Sequence, residues 1–350
     1  SRTRSLLAAA ALALGAGASQ ALTFEFTFLA GTSTQAQSAF IQAGNVWSQM
    51  LSDPVTVRLT VGLGTLTGNT LAEASSGQNA FSYATVRSAL AGDATSSNDA
   101  AAVGALPVGS FAMWINRTAE NGNLAAAYLD NDGSTNNTIV QMTTANAAAL
   151  GLPFTRGTLG GLCSLACDGF IQFSNTQPFD FDRSNGITSG QIDFIGLAVH
   201  EIGHTLGFIS GVDILDDTPG LSADLYRATT LDLFRYSTAS SAVDAIDFTA
   251  STSAKYFSLT GASSGTLGFA TGVSFGDGRQ ASHWKDGLGL GLMDPTLNTG
   301  ALQALSSNDL MAFDAIGWNL ASVPELPSHW QLAAGLAVVG IAWRRSRRRN

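Results

Sequence analysis

The chain has 350 residues, of which 45% are apolar and 38 are glycine, enough to bury one substantial core or two modest ones. Residues 22 to 322 keep 10 of the 17 basic residues and 25 of the 26 acidic ones, so 10 positive charges face 25 negative ones and the formal charge is −15. A surface this acidic repels phosphate backbones, which argues against a nucleic-acid partner.

Residues 1–21, SRTRSLLAAAALALGAGASQA, have the three parts of a signal peptide. Two arginines precede an apolar run at residues 6–18, and the small residues Ser19 and Ala21 suit signal peptidase. We therefore predict export and cleavage after Ala21. The alternative is a buried N-terminal helix, which the arginines before the apolar run and its length, too short to span a bilayer, argue against.

The next segment predicts a strand, a helix and a second strand, the beginning of an α/β layer. LTFEFTFLAG (22–31) and VTVRLTVGL (55–63) alternate apolar and polar residues as half-buried strands do. AQSAFIQAGNVWSQML (36–51) repeats its apolar residues at helical spacing. Residues 62–110 are rich in Gly, Ala, Ser and Asn, and predict loops with room for one helix.

FAMWINR (111–117) and NTIVQMTT (137–144) predict two further strands, with the polar turn LDNDGSTNN before the second. In that turn Asp130 and Asp132 alternate before Gly133, a spacing that also suits a Ca²⁺ loop. The bidentate glutamate that ends an EF-hand loop is missing, so we favour an Asx turn over a calcium site.

The sequence contains two cysteines, Cys163 and Cys167, so the fold cannot depend on a disulfide framework. The pair could bridge in an oxidising compartment or stay reduced, and two sulfurs alone do not make a structural zinc site. DGFIQFSN (168–175) follows as a short strand that ends 25 residues before the first histidine.

SGQIDFIGLAVHEIGHTLGF (189–208) predicts an amphipathic helix, because apolar residues recur along it at spacings of three and four. Thr188 and Gln191 form a potential capping box at its start. Gly207 is a natural stop at its end.

On this helix His200 and His204 lie roughly 40° apart, one turn above the other, and can hold one ion together. Glu201 lies about 60° to the side of His204, close enough to reach a water beside the ion but badly placed to be a ligand. In metal-assisted hydrolysis zinc lowers the pKa of a water toward about 7 and a carboxylate takes its proton. The alternative is a core helix with two incidental histidines.

A catalytic zinc site usually has three protein ligands and one open position. The chain has four histidines. His329 falls in the C-terminal tail that we expect to be removed, which leaves His283 as the remaining histidine.

HEIGHTLGF, SHWK, LMDP and the capped closing helix SSNDLMAFDAIGW occur in this order. From about residue 168 to 318 the chain therefore resembles the leishmanolysin branch of the metzincin zinc peptidases. In that branch the third histidine follows an insertion, here 208–282 and 75 residues long, instead of lying six residues after the second, where this chain has Ser210. The resemblance implies a metal bound by His200, His204 and His283, with Glu201 as general base and Met293 beneath the metal.

The resemblance also implies the fold class, which is α+β of the metzincin type. A catalytic N-terminal subdomain, 22–207, holds a mixed twisted sheet and ends in the active-site helix, and a C-terminal subdomain, 283–322, carries the third ligand, the Met-turn and the closing helix. Some short metzincins use an aspartate as third ligand, so Asp213 is the alternative to His283, although it stands three residues later than their spacing. Otherwise Asp213 fixes the loop after Gly207 or orients a ligand.

In metzincins the edge strand before the catalytic helix pairs antiparallel with an extended substrate. The resemblance gives this role to Gly169, Phe170, Ile171, Gln172 and Phe173. Backbone pairing binds a chain without demanding a sequence, so we expect a protein or peptide substrate in extended form. Trp284 is expected to pack beside the site and not to contact the substrate.

The tail, residues 323–350, has an apolar stretch at 332–343 and then five arginines in six residues. It resembles the bacterial PEP-CTERM sorting signal that exosortase recognises, although its box reads PELP in place of Pro-Glu-Pro. The resemblance implies transient membrane anchoring and export to the surface or exterior of a Gram-negative bacterium. The alternative is a permanent tail anchor with the arginines in the cytoplasm.

These observations predict an exported zinc endopeptidase with one catalytic Zn²⁺. The alternative is a surface-attached binding or matrix protein with a structural zinc, against which Glu201 counts because structural zinc needs no general base. The motif also permits hydrolysis of a non-peptide amide, which fits an extended edge strand less well.

Overall fold

The computed structural model describes residues 22–68, 70–262 and 267–321. The predicted signal peptide and sorting tail, with His329, lie outside these ranges. No helix within them is both long and apolar enough to cross a membrane.

Short strands and helices alternate along the described chain. The strands are β1 (Thr23–Phe28), β2 (Thr56–Gly64), β3 (Ala72–Ser76), β4 (Gln78–Ser82), β5 (Ala112–Ile115), β6 (Tyr128–Asp130), β7 (Ile139–Thr143), β8 (Gly169–Ser174), β9 (Phe179–Asp180), β10 (Ile192–Asp193), β11 (Ala228–Thr229), β12 (Arg235–Tyr236), β13 (Ala245–Phe248), β14 (Lys255–Phe257) and β15 (Gly268–Phe269). The α-helices are α1 (Thr34–Met50), α2 (Tyr83–Asp93), α3 (Ser97–Ala105), α4 (Thr135–Thr138), α5 (Thr144–Ala149), α6 (Phe194–Leu206), α7 (Val212–Asp217), α8 (Thr238–Ser241) and α9 (Ser307–Ala315). Single 3₁₀ turns occupy Leu159–Gly161, Arg183–Asn185, Ala223–Leu225 and Leu231–Phe234.

A four-stranded sheet in the order β1-β2-β8-β3 packs on α1 and α6. β1, β2 and β8 are parallel, whereas β3 runs antiparallel to β8. β2 is buried along most of its length, as expected for a strand with neighbours on both sides, and β1 alternates between exposed and half-buried residues. The mixture of parallel and antiparallel strands with packed helices confirms an α+β protein with mixed sheets.

The prediction that Gly169 to Phe173 forms the edge strand is wrong. That stretch lies in β8, which pairs with β2 on one side and with β3 on the other. β3 has β8 as its single partner among the described strands and therefore forms the edge. Its sequence, AEASS, contains no β-branched or aromatic residue, so composition gave no sign of this strand. Residues 62–110, predicted as loops with room for one helix, contain β3, β4, α2 and α3.

α1 packs beside α6 on the four-stranded sheet. The Phe40 ring contacts Phe173 of β8 and Phe194 of α6, with ring centroids 5.1 and 5.0 Å apart. Trp47 Nε1 donates a hydrogen bond to the carbonyl of Val199 at 2.9 Å. These contacts fix the position of α6 relative to the sheet.

The segment 208–282 does not stand apart from the rest of the fold. Its strand β11 pairs with β7, and its strand β13 pairs with β5, both in parallel. The predicted N-terminal subdomain and the insertion therefore share sheets.

Two local predictions are settled by the structure. Ser134 N donates to Asp132 Oδ1 at 2.8 Å, which confirms the Asx turn. Cys163 and Cys167 form a disulfide in the loop that leads into β8.

Four carboxylates lie close together where α2, α3 and α9 meet, namely Asp53, Asp93, Asp99 and Asp314. Asn319 Nδ2 donates to Asp53 at 3.1 Å and to Asp93 at 3.0 Å. The pKa of Asp93 is raised to about 6, chiefly by burial and also by the three neighbouring carboxylates, while the hydrogen bond from Asn319 opposes the shift. Such a group stabilises the folded state below its ordinary pKa and loses that contribution as pH rises through about 6.

Asp93→Asn is expected to raise the melting temperature at pH 7 and to leave it unchanged near pH 4. The amide has no charge to bury and its oxygen can still accept from Asn319. The gap between the melting temperatures of the variant and the parent should open as pH rises between about 4 and 6. Thermal unfolding measured across this range checks the expectation.

Asp132→Asn is the matched control. Hydrogen bonds from Ser134 lower the pKa of this exposed carboxyl, so its stabilising contribution is present at neutral pH and lost in acid. The control variant should therefore be slightly less stable than the parent at pH 7 and equal to it in acid. A change of the melting temperature at pH 7 in the same direction in both variants would contradict the raised pKa of Asp93.

Candidate metal centre

α6 carries the first two histidines and begins later than predicted. Its N-cap is Asp193, whose side chain accepts a backbone N–H of the first turn at 3.0 Å. The predicted capping box at Thr188 and Gln191 is wrong, because β10 precedes the helix and pairs with β9. Gly207 ends the helix as predicted, with a φ of 123° that favours glycine.

The structure brings His200, His204 and His283 together. The Nε2 atoms of His200 and His204 lie 3.1 Å apart, and those of His200 and His283 lie 3.3 Å apart. All three ligand atoms lie within 4.8 Å of one another, and in the described part of the chain no other three His, Cys, Asp or Glu side chains are so placed. His200 and His283 are buried, and His204 is half-buried beside a cleft.

Each ring is oriented by a backbone carbonyl. Nδ1 donates in every case: His200 to Leu292 O at 2.8 Å, His204 to Phe208 O at 2.7 Å and His283 to Gln280 O at 3.3 Å. A carbonyl oxygen can only accept, so Nδ1 carries the ring proton and the neutral ring presents the lone pair of Nε2. Burial lowers the pKa of all three rings, that of His204 to about 3, which favours the neutral form.

This donor set fits a metal ion. Three lone pairs that face one another at such short distances repel unless a cation lies between them. A tetrahedral ion bound at roughly 2.0–2.1 Å by each nitrogen separates its ligand atoms by about 3.3–3.4 Å, close to the separations in this cluster. Imidazole nitrogen suits zinc and other late first-row metals, so His200, His204 and His283 could hold such an ion.

The turn at Met293 packs against α6 between its two histidines. Met293 is fully buried, and a Cβ placed on Gly203 would lie 2.7 Å from its Sδ, so this approach requires a glycine. The Asp309 carboxylate fixes the turn by accepting from Leu292 N at 2.8 Å and from Met293 N at 3.2 Å. The Leu292 carbonyl orients His200, so Asp309 positions the His200 ring indirectly, by fixing Leu292.

Asp309 was missed by the sequence analysis. Its one local signal is the capping box that it forms with Ser306 at the start of α9. Its carboxylate also accepts from Trp284 Nε1 at 2.8 Å. Trp284 is fully buried and stacks on Phe269 with ring centroids 5.1 Å apart, which confirms its prediction as a packing residue.

Asp213 lies outside the group of three and instead fixes the chain just before His283. Its carboxylate accepts from Ala281 N at 2.5 Å and from both the backbone N and the hydroxyl of Ser282. Burial raises the pKa of Asp213 to about 6, while the hydrogen bonds from Ser282 and Ala281 oppose that shift. The structure thus places Asp213 as a positioning residue for the segment of His283.

A buried hydrogen-bond network around Asp232 joins three distant segments. Ser210 N donates to Ser282 Oγ at 2.8 Å, and Ser210 Oγ donates to Asp232 at 2.5 Å. Asp232 also accepts from Gly211 N and Thr229 N, each at 2.8 Å. The loop after α6, the turn at 229–232 and the chain before His283 are therefore held as one unit.

Glu201 lines a cleft of about 1250 Å³ together with the three histidines. It is 7% exposed, and no described residue donates a hydrogen bond to it. Burial raises the pKa of Glu201 to about 8, and the charge of Glu73 on β3 adds to this effect. A cluster that could hold a metal ion and a buried carboxyl group with no hydrogen-bond donor among the described residues therefore share one cleft.

No protein-family model, curated protein or solved structure matches the chain. The resemblance to leishmanolysin-type metzincins consequently rests on the order of its motifs. The chemistry of the site rests on the geometry described above.

His283→Ala is expected to lower the affinity for Zn²⁺ or Co²⁺ by at least about 100-fold, because it removes one of the three nitrogens. Asp213→Ala keeps all three nitrogens and loses only the bonds that position His283, so its loss should be roughly 10- to 100-fold. Competition titration against a chromophoric chelator measures both. A larger loss in Asp213→Ala than in His283→Ala would transfer the ligand role to Asp213.

Proposed function

We propose that this chain is a zinc endopeptidase that hydrolyses extended protein substrates. The observation that carries the proposal is the arrangement, in one cleft, of three Nε2 lone pairs and a buried carboxyl group that has no hydrogen-bond donor among the described residues. The metzincin-like arrangement of leishmanolysin type belongs to the same proposal, supported by the motif order and by the Met293 turn that packs under α6.

Zinc held by the histidines would supply an activated water and polarise the scissile carbonyl. Glu201 follows His200 directly in α6, so its carboxylate lies beside the cluster without crowding it. It takes the proton of the attacking water and delivers it to the leaving amine as the peptide bond breaks. Its burial excludes bulk water from that transfer.

The substrate adds to the free edge of β3 as a fifth strand of the sheet. β3 lines the cleft along its whole length. Antiparallel pairing is the more stable arrangement per residue, and it supplies affinity without a demand on sequence. We therefore assign substrate pairing to β3, which neighbours the stretch first predicted for it, Gly169 to Phe173.

A binding or matrix protein with structural zinc is less well supported. A structural site closes the fourth position of the metal with a protein ligand. In the described chain the cluster has three nitrogens and faces a cleft that also contains Glu201. Export belongs to the proposal as well, and the Cys163–Cys167 disulfide supports it because such bonds persist in oxidising compartments.

Glu201→Gln is expected to bind zinc with unchanged stoichiometry and to lose cleavage of an unfolded protein such as casein by about 10²–10⁴-fold or more. The amide preserves size and burial but cannot take a proton. Glu25→Gln is the control, since Glu25 is exposed on β1 and pairs with Arg58, and it should cleave as the parent does. Measurements are zinc content and the rate of casein hydrolysis on residues 22–322.

Undiminished cleavage by Glu201→Gln would reject the assigned base. Cleavage by the parent that persists after chelation of the metal would reject the zinc mechanism. A parent that binds zinc tightly and cleaves no protein would favour the structural alternative.

A further inference from the structure

The cleft has a direction, set by β3 and α6, which run the same way beside it. Ala72 pairs with Phe173, whose ring lies 4.6 Å from that of the first residue of α6. Ser76 pairs with Gly169, which packs against Thr205 in the last turn of α6. The start of β3 therefore lies at the start of the histidine helix, and the end of β3 at its end.

The two ends of the cleft differ in chemistry. The apolar end, at the start of β3, is lined by Leu71, Leu197, Pro295 and Leu297, with Asp294 beside them. The polar end, beyond the end of β3, is lined by Gln78, Gln141, Arg227 and Thr229. The second group is assembled by the sheet β11-β7-β4, since β4 follows β3 after one residue and Gln141 pairs with Thr229.

A strand added antiparallel to β3 starts at the polar end and finishes at the apolar end. The histidines of α6 lie between these ends. Substrate residues on the N-terminal side of the scissile bond therefore lie toward Arg227, and those on the C-terminal side lie toward Leu197.

Arg227 presents an unused hydrogen-bonding edge. Its Nη1 donates to the carbonyls of Asp224 and Tyr226, the latter at 2.8 Å. Its Nε and Nη2 have no hydrogen-bond partner and the guanidinium has no carboxylate within ion-pair distance among the described residues. The backbone of Arg227 packs tightly against the loop after α6. A Cβ placed on Gly211 would lie 1.9 Å from the carbonyl oxygen of Arg227.

Arg279 also lines the cleft but differs in this respect. Its guanidinium pairs with Asp286, with Nε 3.0 Å from Oδ2. Arg279 therefore forms an ion pair, whereas Arg227 forms none among the described residues and senses the charge of Asp224 only at longer range. In a body with a formal charge of −15, a cation of the cleft without an ion pair marks a position that favours an anion.

We propose that Arg227 selects an acidic side chain on the N-terminal side of the scissile bond. The anchored guanidinium offers Nε and Nη2 as a fork, the geometry that binds a carboxylate through two parallel hydrogen bonds. The side chains of Gln78, Gln141 and Thr229 line the same end of the cleft and add neutral hydrogen-bonding groups. This inference rests on the proposed function, because it takes the direction of the substrate from pairing with β3.

The test uses peptide pairs that differ by Glu against Gln at each of the four positions before the cleaved bond. The parent should cleave the Glu peptide with about tenfold higher kcat/KM at one of these positions, and Arg227→Gln should reduce that ratio to near one. Arg227→Glu should favour a Lys peptide at the same position. Arg279→Gln, the matched control within the cleft, should keep the parent ratio.

Binding to zinc-loaded Glu201→Gln, measured by calorimetry with the same peptides, separates this inference from the proposed function. If the parent cleaves nothing, the peptidase proposal fails, and the binding ratio with and without Arg227→Gln still decides whether Arg227 recognises the carboxylate. Equal ratios in the parent and Arg227→Gln, or a loss of the preference in Arg279→Gln alone, would overturn the assignment. Melting temperature and zinc content equal to the parent establish that Arg227→Gln is folded.

Discussion

Three neutral imidazoles held with their lone pairs facing one another are the constraint on which the rest of this structure depends. Their mutual repulsion means that bonds made elsewhere must hold the rings. Each ring is held by a backbone carbonyl, at positions 208, 280 and 292, and a carbonyl orients a ring only as well as its own segment is fixed. Asp309 fixes one of these segments and Asp213 another, so the centre depends on two buried aspartates as much as on three histidines.

Supplying a third histidine from beyond a 75-residue insertion has an entropic cost that grows slowly with the length of the loop. The fold limits this cost by pairing β11 with β7 and β13 with β5, which ties the inserted segment into sheets of the N-terminal part. The Asp232 network then joins the start of the insertion to its end. Ser210, six residues after His204, donates to Asp232 and helps to hold the segment that carries His283.

The sequence predicts best where the signal is local, as for the histidine spacing on α6, the stop at Gly207 and the capping box of α9. The start of α6 was predicted too early because Ile192 continues the apolar stripe of the helix, although its backbone pairs with β9. Over two residues, apolar periodicity does not distinguish a strand from the first turn of a helix. β3 was missed because its extended form comes from pairing with β8 and not from its own composition. The role of Asp309 was missed for a related reason, since its donors come from three separate segments of the chain.

An exposed sheet edge invites pairing with other chains, and proteins limit this by keeping the strand short or by placing charge on it. β3 has both features, with five residues and Glu73 at its second position, yet it borders the one cleft that contains the histidines and Glu201. The alanines and serines of β3 offer a bound strand little side-chain contact. The backbone of β3 can therefore supply affinity but little discrimination between substrate side chains. Discrimination between substrates would then come from the two ends of the cleft, and Arg227, which forms no ion pair among the described residues, lies at one of these ends.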